Sequence, residues 1–158
     1  MNDDTNWVHI QRIFDASIEE VWSMWADAGK FSSWYGPKGM TVSAETWDLK
    51  IGGVRKVCME MQTPDRTMQM WFTGVFKEIS APRRLVYTEA MCDAQGTLIP
   101  PSAMGMPPGT PDITEVIVDL VENGGKTRMT MVHRGVPAGT AGEGGWKQAF
   151  DKLAALLA

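Results

Sequence analysis

From Met40 to His133 the apolar residues of this chain keep no helical spacing, and a helical period returns only in one closing segment near Gly145. Short alternating runs divided by Gly- and Pro-bearing turns build an antiparallel sheet. A strongly bent sheet cannot fill its own concave face, and here a single long helix is left to cover it. That pairing is an α+β layer arrangement.

The runs can be placed individually. Thr5–Phe14 mixes β-branched and aromatic residues with polar ones and reads as a first strand. Ser17 and Glu20 have capping-box spacing, and Ile18, Val21, Trp22 and Trp25 follow at helical intervals. Asp27 caps a second short helix through Phe31 and Trp34, which Gly36-Pro37 stops. Six strands are then expected over Thr41–Asp48, Val54–Gln62, Thr67–Ile79, Arg84–Cys92, Thr114–Glu122 and Lys126–His133. Asn123-Gly124-Gly125 is a hairpin signal between the last two. In the closing helix Trp146, Phe150, Leu153 and Leu157 share one face. Thr140 and Glu143 offer a second capping box, but Gly142, Gly144 and Gly145 each cost roughly 1 kcal/mol against Ala, so the solid helix is expected to start near Gly145. The predicted order is β-α-α-β6-α, one domain over residues 1–158.

Several function classes are disfavoured by composition and motif. Fifteen Lys plus Arg against nineteen Asp plus Glu leave a net charge of −4, where a nucleic-acid binder needs a basic face. The longest apolar run, Leu153–Ala158, is far short of the roughly 20 residues that span a bilayer, and the acidic start Met1-Asn2-Asp3-Asp4 is unlike a signal peptide. A soluble cytoplasmic protein is the expectation. His9 and His133 are the only histidines, and no CxxC or HxxxH spacing exists, so neither a metal site nor a cofactor is expected. Cys58 and Cys92 fall two strands apart, about 4.8 Å per strand, beyond the roughly 7 Å that a disulfide tolerates.

Four local patterns carry a family resemblance. They are Phe31-Ser32-Ser33-Trp34-Tyr35-Gly36-Pro37, the turn Trp47-Asp48-Leu49-Lys50-Ile51-Gly52-Gly53, the stretch from Gly74-Val75-Phe76 to Pro82-Arg83-Arg84-Leu85-Val86-Tyr87, and Gly145-Trp146 with Leu153. In this order the chain resembles the SRPBCC (START/Bet v 1-like) superfamily, and within it the branch of the C-terminal domain of the activator of Hsp90 ATPase. The resemblance implies a helix-grip fold, a seven-stranded antiparallel sheet wrapped around the long C-terminal helix with an apolar cavity between them. The segment Asp93–Asp112 is longer than the connection expected there. It reads either as a surface insertion or as a flap over the cavity, the latter supported by Leu98, Ile99, Met104 and Met106.

Candidate site residues follow from that cavity. Met59, Met61, Met68, Met70, Met91, Met129 and Met131 all fall on strands, either as ordinary core or as the lining of a deformable pocket. The residues expected to contact a small hydrophobic ligand are Trp34, Met59, Met61, Trp71, Tyr87, Met129, Met131, His133 and Phe150. If Met129 and Met131 face inward, His133 continues their phase; Glu89 faces inward only if Leu85, Tyr87 and Met91 do, and the opposite phase is equally compatible with the sequence. An inward Glu89 beside His133 is the one pair able to serve as acid and base. Three functions therefore stand: non-enzymatic ligand binding, cyclase- or hydrolase-like catalysis by that pair, or contact with an Hsp90-type chaperone. Met68-Gln69-Met70-Trp71-Phe72 is apolar on both phases, which either a homodimer covers or a partly exposed patch explains.

Overall fold

The computed structural model describes residues 6–105 and 109–157, apart from the side chain of Met104. Thr5 and Met106 lie outside the described residues. The elements are β1 (Trp7–Phe14), α1 (Ile18–Ala26), α2 (Ala28–Trp34), β2 (Thr41–Trp47), β3 (Val54–Gln62), β4 (Thr67–Ser80), β5 (Arg84–Cys92), a 3-10 turn (Pro101–Met104), β6 (Thr114–Asn123), β7 (Lys126–Pro137) and α3 (Ala141–Leu157). The strands form one seven-stranded sheet in the order β1-β7-β6-β5-β4-β3-β2. Every neighbouring pair is antiparallel. Every link from β2 to β7 joins sheet neighbours, while α1 and α2 carry the chain from one edge, β1, to the other, β2.

Local signals set the helices. Ser17 Oγ accepts from the Glu20 amide at 3.2 Å and Glu20 Oε1 accepts from the Ser17 amide at 3.2 Å, so the capping box at α1 is closed in both directions. Asp27 Oδ1 accepts from the Lys30 amide at 3.0 Å and opens α2. At α3 the structure corrects the expectation. The helix begins at Ala141 rather than near Gly145, because Glu143 Oε1 accepts from the Gly139 amide at 2.9 Å and Glu143 also pairs with Lys147 one turn on, at 3.0 Å. The Thr140 hydroxyl donates to the Pro137 carbonyl at 2.7 Å instead of capping.

The space between sheet and helix is filled by aromatic rings. Trp25 lies at the centre, 4.8 Å from Trp34, 6.0 Å from Trp146 and 6.1 Å from Phe150 between ring centroids. Each of the buried indoles finds a partner for its N–H: Trp25 donates to the Met129 sulfur at 3.3 Å, and Trp34 to the Met24 carbonyl at 2.9 Å. From α3, Trp146, Ala149, Phe150 and Leu153 are buried, one apolar stripe at helical spacing. On the sheet, Leu85 and Tyr87 join this core with Val57, Met59, Met129 and Met131, which settles the phase of β5.

The opposite face carries a different row. Cys58 pairs across β3–β4 with Trp71, and Trp71 across β4–β5 with Cys92, so Trp71 separates the two free, buried thiols. Lys56 Nζ lies 4.8 Å from the Trp71 ring. The segment after β5 folds back as well, with Ile99 N–H donating to the Met91 carbonyl at 2.9 Å. The chain's own loop and Lys56 thus cover part of the apolar run on β4, while Met68 stays exposed. Among the described residues no helix is long and apolar enough to cross a membrane.

Candidate functional site

At the end of the sheet where α3 begins, the aromatic filling stops and a recess of about 180 Å³ opens. Five elements converge on it: the exit of α2 (Tyr35 to Pro37), β3 through Met59, β5 through Glu89, β7 through His133 and Val136, and the start of α3 through Gly142, Gly145 and Trp146. Its walls are mostly carbon. Gly142 and Gly145 leave part of the α3 side bare, beside Ala141, Trp146 and Ala149.

Behind the recess lies a buried ion pair. Arg55 is fully buried, and its Nη1 is 3.1 Å from Glu89 Oε1. The Tyr35 hydroxyl is shared between Glu89 Oε1 and Oε2, at 3.1 and 3.0 Å. The Arg55 guanidinium sits 3.9 Å from the Tyr87 ring centroid and 5.6 Å from those of Phe31 and Trp47. Its Nε and Nη2 have no hydrogen-bond acceptor among the described residues. The guanidinium as a whole lies over the electron-rich faces of three rings, which stabilise a desolvated cation. Burial, with Glu89 beside it, pushes the Tyr35 hydroxyl well above its ordinary pKa, so Tyr35 stays a donor.

His133 is held just as firmly. Its Nδ1 accepts from the Trp146 indole at 2.9 Å and its Nε2 lies 2.8 Å from Thr114 Oγ1, whose own proton goes to the Glu89 carbonyl at 3.1 Å. With Nδ1 an acceptor, the proton belongs on Nε2 and the ring is neutral. Burial lowers the His133 pKa below its ordinary 6.5, against an opposing pull from Glu89. Acidification therefore destabilises: below that ordinary value the unfolded chain takes up a proton that the folded one refuses. Unfolding by urea at about pH 7.5 and about pH 5.5 should show a smaller acid loss in His133→Gln than in the parent. Equal losses would mean that the lowered pKa does not govern stability.

Of the residues anticipated from the sequence, Met59 and His133 line the recess, as does Glu89. Trp34, Tyr87, Met129, Met131 and Phe150 do not: they are fully buried in the packed core, because the aromatic cluster fills the volume a longer cavity would need. Met61 is half-buried on β3, beyond the recess. Trp71 lies on the other face of the sheet, where with Met91, Cys92, Ala94 and Ile99 it lines a separate hollow of about 310 Å³. The described part of Asp93–Asp112 contributes to that hollow and not to the recess. The site residues that sequence reasoning overlooked are Arg55 and Tyr35. Arg55 shares the inward phase of Val57 and Met59, and that was the available signal.

The sequence profile described as "Activator of Hsp90 ATPase homolog 1-like protein" matches residues 15–158. The chain belongs to that family. Solved structures agree with this fold. The chain is 25% identical to an Arthrobacter aurescens protein determined by solution NMR, covering 99% of this chain and 88% of that one at a TM-score of 0.75. A Chromobacterium violaceum crystal structure covers 96% of both chains at 22% identity and TM-score 0.76. A Silicibacter pomeroyi protein whose description carries the same family name aligns at 21% identity and TM-score 0.71, over 94% of this chain and 95% of that one. No curated protein matches the chain significantly. The Activator of Hsp90 ATPase homolog 1-like family thus accounts for the architecture, and the helix-grip expectation holds.

Proposed function

We propose that the protein binds a small, largely apolar ligand in the recess beside the first turn of α3, without catalysing its conversion. The observation that supports this most is the recess itself, about 180 Å³ of mostly carbon-walled space in an otherwise packed interior. An apolar cavity of about 150 Å³ accepts a benzene molecule, so a single ring fits. The engagement of both His133 nitrogens argues against acid-base work by His133 and Glu89, although the two share the recess. Catalysis by that pair would require the Trp146 indole to release Nδ1. Contact with an Hsp90-type chaperone is the reading that the family description favours; a pull-down with that chaperone tests it separately.

Gly145 gives the direct test. An added Cβ there would sit 3.5 Å from Pro37 Cγ, an ordinary contact across the recess. Gly145→Ala is expected to stabilise α3 by roughly 0.5–1 kcal/mol. Gly145→Val, a bulkier plug at the same place, is expected to remove the melting-temperature rise that toluene produces in the parent. A toluene shift that survives Gly145→Val unchanged, or none in the parent, overturns the assignment.

A further inference from the structure

Every donor among the side chains that line the recess is already committed inside the protein. The Tyr35 hydroxyl goes to Glu89, the Trp146 indole N–H goes to His133, and the His133 Nε2–H goes to Thr114. What is left over is acceptor capacity on one carboxylate. Glu89 Oε1 receives Arg55 and the shared Tyr35 proton, whereas Oε2 receives only its share of the Tyr35 proton, at 3.0 Å. A carboxylate oxygen accepts about two hydrogen bonds, so Oε2 is under-used. The charge is already balanced: Arg55, fully buried, neutralises Glu89, and His133 adds none.

We propose that the recess selects a neutral single-ring ligand bearing one hydroxyl or N–H, which donates to Glu89 Oε2. An anion would meet a carboxylate, and no side chain that lines the recess has a free donor to offer it, since the spare Arg55 N–H groups lie behind the lining. A cation would bring a charge that nothing in the recess offsets, since the Glu89 charge is spent on Arg55. A neutral donor meets neither penalty, and its hydrogen bond to a charged acceptor in a desolvated place is of the stronger kind. This selectivity rests on the binding role proposed above, and the experiment separates the two.

Phenol and toluene have nearly the same shape, and toluene is the more hydrophobic, so burial alone ranks toluene first. The probes are toluene, phenol, benzoate and benzylammonium, titrated at neutral pH against the intact protein, with the amide signals of Gly36, Gly142 and Gly145 and the Trp146 indole as readout. Phenol is expected to bind at least about tenfold more tightly than toluene, since hydrogen bonds to charged groups are worth that much or more. Benzoate and benzylammonium are expected to bind more weakly than toluene. Toluene binding with no gain for phenol overturns the selectivity and leaves the apolar site standing. Saturation by benzoate at phenol-like concentrations also overturns it, and assigns the recess to the amides that open α3. Tighter binding of benzylammonium than of phenol overturns the requirement for neutrality. No response to any probe removes the site altogether. Tyr35→Phe, which leaves the Arg55–Glu89 pair intact, fixes the acceptor: the phenol preference should persist or grow. Its disappearance would put the bond on the tyrosine oxygen and overturn the assignment to Glu89.

Discussion

Glu89→Ala should cost about 3–5 kcal/mol of folding stability, because it strands the fully buried Arg55 without a counter-charge. Among the described residues the only ionic contact of Arg55 is Nη1 with that carboxylate, and its Nε and Nη2 have no hydrogen-bond acceptor. The three surrounding rings lessen the penalty without replacing the lost charge. Urea unfolding at neutral pH reads the loss directly. Removing both charges, by Arg55→Met with Glu89→Leu, should recover most of it, since well-packed apolar replacements of a buried pair are often neutral. A loss under about 1 kcal/mol for Glu89→Ala would show that the ring faces alone carry the cation.

Trp25→Ala is the second large effect, expected at about 3–5 kcal/mol. The ring touches Phe31, Trp34, Trp146 and Phe150, which come from α2 and α3, and its N–H reaches Met129 on β7. Its removal leaves a void where helices and sheet meet. Trp71→Ala is the matched control, because Trp71 is half-buried on the opposite face and should lose clearly less. Equal losses from the two variants would contradict the placement of the core between α3 and the concave side.

Much of the architecture is written in local patterns. The capping residues Ser17 and Asp27, the Asn123-Gly124-Gly125 hairpin and the alternation along β3 act over a few residues, so the sequence alone specifies them. The first turn of α3 escaped that reading because Glu143 bonds the Gly139 amide, one residue before the anticipated partner, and so offsets the cost of the glycines. The site was legible only in part. Met59 and His133 could be placed by strand phase, but Glu89 could not, because β5 is apolar on both phases and only its neighbours in the sheet decide which side faces the core. Five anticipated contacts were absorbed into the packed interior. How far rings from three helices fill a shared volume depends on contacts across the whole chain, which no short pattern encodes.

The recess has one wall of interlocked bonds and one edge with room to spare. On the sheet side His133 is bonded at both nitrogens, to the Trp146 indole of α3 and to Thr114, and Thr114 reaches on to the Glu89 carbonyl, so shifting His133 or Thr114 breaks two bonds. On the helix side Gly145 brings neither side-chain packing nor helical preference, and the nearest atom to a Cβ there is Pro37 Cγ at 3.5 Å, so the recess has room along that edge. Tolerance to the shape of a guest is therefore lopsided. Bulk that a guest adds toward Gly145 and Pro37 finds space, whereas the same bulk added toward β5 and β7 is refused.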